Sequence, residues 1–300
     1  MQIFRKREKP IENLTLIALI IALQAIFSIF TAVFSDVVVI PLLILITVPI
    51  SSVLISVNCS PRYYAVYLIA SIGLNVAVSC YNLSNTIFYI IPSILVGFVY
   101  GVFLNFKIPT SLNIFFSSIV ELLLWIASLY LIKAIYEIDF QNVVLSLIKK
   151  NNVYGTNIFL LIGFGVSLLQ VALINVFIIV QSKYLSLSFI EEFKIQRFYW
   201  GFAAVFASLS FIFGLFYLPL AYLFLGFGIY WALYCLKELV FNRHSVIILF
   251  LLISICGGIL IFAFTYSNLS KEKSFLLINI FPLFVSIFQF LNSILFKKKS

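Results

Sequence analysis

Residues 110–132 read TSLNIFFSSIVELLLWIASLYLI, twenty-three residues in which Glu121 is the one charge. That run exceeds the roughly 20 apolar residues a helix needs to cross the ~30 Å hydrocarbon core of a bilayer. Its apolar residues form a block and do not keep to the one-face spacing of a helix on a soluble core. The same signal recurs along the chain. Of the 300 residues, 64% are hydrophobic and 10% charged, against roughly 45–50% and 25% in soluble domains. Water cannot solvate a surface so poor in charge, which excludes soluble enzyme folds. Four cysteines, Cys59, Cys80, Cys235 and Cys256, are too sparse for a disulfide scaffold.

In lipid every backbone polar group needs an internal partner, so such runs form helices. Cutting where charges or polar clusters interrupt them gives ten spans: Leu14 to Phe34, Val37 to Val57, Tyr63 to Ser79, Asn85 to Leu104, Thr110 to Ile132, Asn157 to Val180, Tyr199 to Tyr217, Leu218 to Leu236, Ser245 to Thr265 and Phe275 to Phe296. The seventh and eighth are divided only by the turn signal Tyr217-Leu218-Pro219. The expected fold is an all-α polytopic membrane bundle of about ten helices. Placing the N-terminus inside puts 14 of the 19 Lys and Arg residues on the cytoplasmic side, as positive loops require, so both termini are expected to be cytoplasmic. The link between spans five and six, with Lys133, Lys149 and Lys150, is the one place that strains the rule. Inner loops facing anionic lipid account for the net charge of +9, and no nucleic-acid partner is implied. Arg5 to Lys9 followed by about 21 apolar residues reads as an uncleaved anchor, too long for a signal peptide.

The polar stretch Glu137 to Thr156 divides the chain into two five-helix halves, 1–136 and 157–300, with 137–156 as a linker. Within it, residues 140–149 are compatible with a short interfacial helix. An odd number of spans per half permits an inverted repeat, but no self-similarity supports one. Abundant Phe, Ile, Asn and Lys suggests an AT-rich bacterial genome and hence a multi-pass protein of a bacterial plasma membrane.

Glu121 lies near the middle of its span, where a carboxylate costs about 2.5–3.5 kcal/mol on insertion scales. Ser117, Ser118, Trp125 and Ser128, at i−4, i−3, i+4 and i+7, are expected to offer it hydroxyls and an indole on its own face. Two roles stay open: a neutral carboxyl bonded between helices, or an anchor for a substrate or cation. In the first span Ala18, Ala22, Ala25 and Ala32 share an arc of about 80°, and Gln24, Ser28 and Thr31 one of about 60°, at 100° per residue. Small residues allow close helix approach, and the polar stripe needs partners. Ser71, Asn75 and Ser79 repeat at i, i+4, i+8. Ser167 and Gln170 share a face, with Asn175 about 140° from Gln170. Each set is either helix glue or pocket lining. Pro41, Pro49, Pro92 and Pro282 are each expected to free a carbonyl and kink a helix, and Gly97 to Gly101 is a GxxxG close-packing pattern.

No GxxxxGK[ST] phosphate loop and no HExxH helix occur, and His244 is the single histidine. ATP hydrolysis by that route, a histidine-based metal centre and an enzymatic role are therefore not expected, nor is a cofactor.

Residues 16–25, LIALIIALQA, resemble the opening helix of the substrate-binding S components of energy-coupling-factor vitamin transporters. The resemblance implies that Ala18 and Ala22 form a small face docking on a coupling protein. Residues 88–101, FYIIPSILVGFVYG, resemble the aromatic, Pro- and Gly-rich fourth-span region of the same group. In length and pattern the whole chain is similar to YybS-like membrane proteins of low-GC bacteria. The S-component resemblance covers about residues 13–136 and implies energy from separate ATPases and a coupling membrane protein. The helices beyond the six of a typical S component depart from the pattern. The expected function is a substrate-binding or translocating subunit for a small, partly aromatic or amine-bearing solute. Glu121 is its anchor, Gln24, Asn75 and Gln170 neutral contacts, and Trp125 an apolar wall. The alternative is a non-transporting scaffold or cell-envelope morphogenesis protein resembling the MreD family.

Overall fold

A chain that must pair all its backbone groups without water has little choice but helix, and the computed structural model shows only helices and short turns among the residues it describes. Those residues are 9–34, 39–79, 83–137, 152–185, 198–240, 257–258 and 275–295. The main helices among the described residues are α1 (Pro10–Val33), α2 (Val39–Asn58), α3 (Tyr64–Val78), α4 (Leu83–Asn105), α5 (Thr110–Tyr136), α6 (Asn152–Leu185), α7 (Tyr199–Phe216), α8 (Leu218–Val240) and α9 (Ile280–Leu295).

Six of these helices contain a stretch long and apolar enough to cross a membrane: Pro10–Phe30, Leu83–Asn105, Thr110–Tyr136, Ile158–Val180, Tyr199–Phe216 and Leu218–Leu236. The protein is thus a multi-pass helical membrane protein. The other expected spans are represented differently. The second and tenth correspond to the shorter apolar stretches Leu45–Asn58 and Leu276–Leu291. The third is the 15-residue α3, which at 1.5 Å per residue reaches about 22 Å. Apart from residues 257–258, the ninth lies outside the described residues, as does the proposed interfacial helix at 140–149.

Local signals explain the ends. Pro10 opens α1 at a position where its missing N–H costs nothing. Pro61 starts the short turn Pro61–Tyr63 that feeds α3. Helix α5 ends where Glu137 turns left-handed at φ 57° and its N–H closes on the Lys133 carbonyl. Tyr217, extended at φ −149°, breaks α7 from α8 where the sequence placed the turn.

The chain divides into two compact units, Met1–Val144 with Val166–Glu191, and Leu145–Gly165 with Glu192–Ser300. This boundary runs through α6, whereas the sequence placed the division at 137–156, mostly outside the described residues. In the first unit the helices alternate in direction. Gln24 meets Ser71 and Ser28 meets Asn75, so α1 and α3 run parallel, while Ser52 to Tyr67 sets α2 against α3. Asn113 to Tyr100 and Ser128 to Ile87 pair α4 with α5 antiparallel. Ser93 to Gln170 and Tyr100 to Asn175 run the 166–185 part of α6 parallel to α4. The core beneath is Ile17, Ile20, Ile21, Val48, Ile55, Tyr67, Ile90 and Ile94. The GxxxG pattern packs as expected: a Cβ on Gly97 would fall 2.1 Å from the Pro49 carbonyl oxygen, so α2 and α4 touch backbone to backbone.

In the second unit α7 and α8 form a hairpin rich in rings, with Tyr199 and Trp231 5.3 Å apart and both buried. Asn279, in the turn before α9, donates to Ser210 Oγ at 2.7 Å, and Ser210 donates to the Ala221 carbonyl at 2.6 Å.

The prolines depart from the expectation that each of the four kinks its helix. Pro49 sits inside α2, but Pro41 and Pro282 lie in the first turns of α2 and α9, where a helix tolerates proline. Pro92 is preceded within α4 by a wide turn, Thr86–Ile90, in which the Ile91 N–H reaches back five residues to Thr86.

Candidate functional site

Two polar systems lie within the first unit, and they differ in how completely they are satisfied. The first joins α1, α2 and α3. Gln24 Nε2 lies 2.9 Å from Ser51 Oγ, 3.1 Å from Ser52 Oγ and 2.8 Å from Tyr67 OH. Its Oε1 accepts from Ser71 at 2.5 Å. Ser28 donates to Asn75 Oδ1, and Asn75 Nδ2 donates to the Ser71 carbonyl at 2.7 Å. The chain continues through Ser79, which donates to the Asn75 carbonyl, to Thr86, which donates to Ser79 Oγ. Gln24 and Asn75 are thus brought together through Ser71. A system of this kind, fully bonded in a low-dielectric interior, fixes how three helices meet.

The second system is organised by prolines. Pro49 has no N–H, so the Leu45 carbonyl one turn earlier loses its helical donor. Gln170 Nε2 supplies one at 2.8 Å and also lies 3.3 Å from Ser93 Oγ. In α4 the Ile91 N–H is taken by Thr86 and Pro92 has none, so neither ordinary nor wide-turn geometry gives Ile87 a donor. Ser128 Oγ fills that place at 2.9 Å. Side chains from α5 and α6 therefore cap the carbonyls that proline frees in α2 and α4, as lipid-embedded backbone requires.

Glu121 stands between these contacts and shares in none. It is fully buried, and neither carboxyl oxygen has a hydrogen-bond partner. Its expected helpers are committed elsewhere. Ser117 donates to Asn113 Oδ1 at 3.1 Å, Ser118 to the Ile114 carbonyl at 2.7 Å and Ser128 to Ile87. For Ser117 and Ser118 the physical reason is that a helical serine readily finds an acceptor one turn back on its own helix; Ser128 is taken by the carbonyl that Pro92 leaves free on α4. The indole Nε1 of Trp125, one turn beyond Glu121, is also unpartnered, and its ring stacks on Phe88 at 5.3 Å. Gln170 Oε1 and Ser167 Oγ complete the unpartnered buried polar atoms described in this unit.

Register sets Glu121 and the Ser93–Gln170 contact at about the same height along α4. Asn113 meets Tyr100 and Ser128 meets Ile87, so counting in from either contact of this antiparallel pair sets Glu121 opposite about residues 92–94 of α4. Ser93 in that stretch is the hydroxyl that Gln170 approaches. Ala18 and Ala22 lie on the exposed face of α1, about 120° around the helix from the buried Gln24 and Ser28 at 100° per residue. Among the described residues no group of His, Cys, Asp and Glu could hold a metal ion.

Sequence reasoning missed Tyr67, which continues the Ser71, Asn75, Ser79 stripe one turn back but reads as apolar, and Ser51 and Ser52, which sit in an otherwise apolar run. The wide turn before Pro92 has no signal in residue type alone. No family profile, curated protein or solved structure matches the chain.

Proposed function

We propose that the chain is a membrane-embedded substrate-binding or translocating subunit for a small solute, energised by separate proteins. The observation that carries this reading is the contrast between the bonded Gln24 network and the isolated Glu121. Gln24 and Asn75 are bonded within the protein and are assigned here to holding helices together, whereas Glu121 is wholly buried with both oxygens open. A buried polar group without a partner costs about 1–3 kcal/mol, and more when charged, so its retention points to a partner outside the chain. In this reading Glu121 is the anchor, Trp125 the apolar wall and Gln170 Oε1 a neutral contact.

The proposed topology has ten spans and cytoplasmic termini in a bacterial plasma membrane. It is supported by the basic-residue asymmetry and by the alternating directions of the first unit, which bring Lys9, Arg62 and Lys107 to one end. The exposed Ala18 and Ala22 suit a helix face for a coupling protein, and the six alternating helical segments of that unit fit the S-component resemblance. A scaffold role is the second reading, favoured by the saturated Gln24 network. Native mass spectrometry of the protein, purified in mild detergent from its own host, tests both. A retained small molecule with ATPase partners supports the transporter subunit; envelope proteins bound to an empty chain overturn it in favour of the scaffold.

A further inference from the structure

Resting on that reading, we infer that the solute held at Glu121 is a protonated amine with an aromatic or apolar body. The unpartnered atoms at this level are unbalanced. Glu121 Oε1 and Oε2 and Gln170 Oε1 are acceptors, Ser167 adds a hydroxyl, and Trp125 Nε1 is the one fixed donor. Ser167 and Gln170 are three residues apart and share a helix face.

An anion would bring more acceptors to a site already short of donors. A neutral alcohol would bring a single O–H and leave the carboxyl without an opposite charge. An ammonium group brings up to three N–H donors and the charge together. The described helix segments around this level supply no such cation: residues 39–58, 83–105 and 166–180 hold no Lys or Arg. The one basic residue of α5, Lys133, lies twelve residues from Glu121, about 18 Å along the helix.

The rings fit the rest of the molecule. Trp125 is one turn from Glu121, and Phe88 stacks against it with an interplanar angle of 29°, with Tyr89 edge-on to Phe88 at 4.9 Å. Aromatic faces beside a carboxylate are a recurrent means of holding an organic cation, through ring quadrupole and ion pairing at once.

The test uses the full chain in mild detergent and three probes of one shape: 2-phenylethylamine, protonated at pH 7, 2-phenylethanol and phenylacetate. Binding is read by tryptophan fluorescence and native mass spectrometry. The amine should bind at least about tenfold more tightly than the alcohol, with phenylacetate undetected. Glu121→Gln should bring the amine to the alcohol's affinity, the alcohol serving as the check that the variant is folded. Trp125→Leu should weaken amine and alcohol by similar factors of about three to ten. Equal affinity for amine and alcohol, preference for phenylacetate, or amine binding unchanged in Glu121→Gln overturns the amine assignment and leaves the binding-subunit reading standing. A chain that binds none of the three also overturns it; if the host-purified protein then retains no solute, the binding-subunit reading falls with it.

Discussion

Replacing Gly97 by alanine should be among the most damaging single-methyl changes in the first unit, and the structure gives the size of the effect. The new Cβ would lie 2.1 Å from the Pro49 carbonyl oxygen and 2.6 Å from its Cα. An ordinary contact begins near 3.4 Å, so α2 and α4 must part by about 1.3 Å (3.4 − 2.1). Both obstructing atoms are backbone, so no side-chain rotation relieves the clash. Overpacking of this kind costs about 1–3 kcal/mol, and the upper end is expected because Gln170 spans the same pair of helices through Leu45 and Ser93. Gly101→Ala provides the contrast. Its Cβ would meet the Ser56 hydroxyl at 1.8 Å and the Ser56 Cβ and Val53 carbonyl oxygen at 3.1 Å; the hydroxyl can turn away, giving up its 3.0 Å bond to the Val53 carbonyl for about 1 kcal/mol, and the remaining contacts need a shift of only a few tenths of an ångström. Gly73→Ala meets nothing within 4 Å and should be neutral or stabilising. Unfolding of the three variants by SDS titration in mixed micelles ranks them directly. Gly97→Ala within about 0.5 kcal/mol of the unsubstituted protein, or no worse than Gly73→Ala, would refute the backbone contact between α2 and α4.

Gln24→Leu should cost about 2 kcal/mol in the same assay, since it removes four contacts at once, to Ser51, Ser52, Tyr67 and Ser71, and interhelical bonds in membranes average about 0.6 kcal/mol each. Gln170→Leu should cost about 1–2 kcal/mol by orphaning the Leu45 carbonyl. That penalty should shrink in a Pro49→Ala background, where residue 49 regains the N–H that Leu45 lacks; a double-mutant cycle measures the difference. Ser128→Ala should cost about 1 kcal/mol for the same reason at Ile87, and Ser128→Thr should retain the bond.

The helices were largely legible because lipid demands long apolar runs, and the break at Tyr217 was legible because Pro219 follows it. The inward faces of α1 and α3 were also legible: Gln24, Ser28, Ser71, Asn75 and Ser79 are all buried, as their helical spacing requires. The partners were not. Which residue caps the Leu45 carbonyl depends on helices 125 residues apart in sequence meeting at Gln170, and spacing along one helix cannot express that. Glu121 was singled out by the cost of its charge, but its isolation was hidden, since four polar neighbours at helical spacing promised it company. Serine's preference for the turn behind it removed Ser117 and Ser118, and the carbonyl freed at Ile87 took Ser128.

The central claim is that Glu121 serves a ligand at the expense of the empty fold. The direct test is the stability of the empty, purified protein with Glu121→Leu beside the unsubstituted chain, each also weighed by native mass spectrometry for retained solute. Leucine has similar volume and no polar atom to leave unpaired, so the account expects the empty variant to be about 1–3 kcal/mol more stable, and to have lost the solute. A variant that is destabilised, with retained solute unchanged, would show that the carboxyl holds the helices together and would contradict the claim.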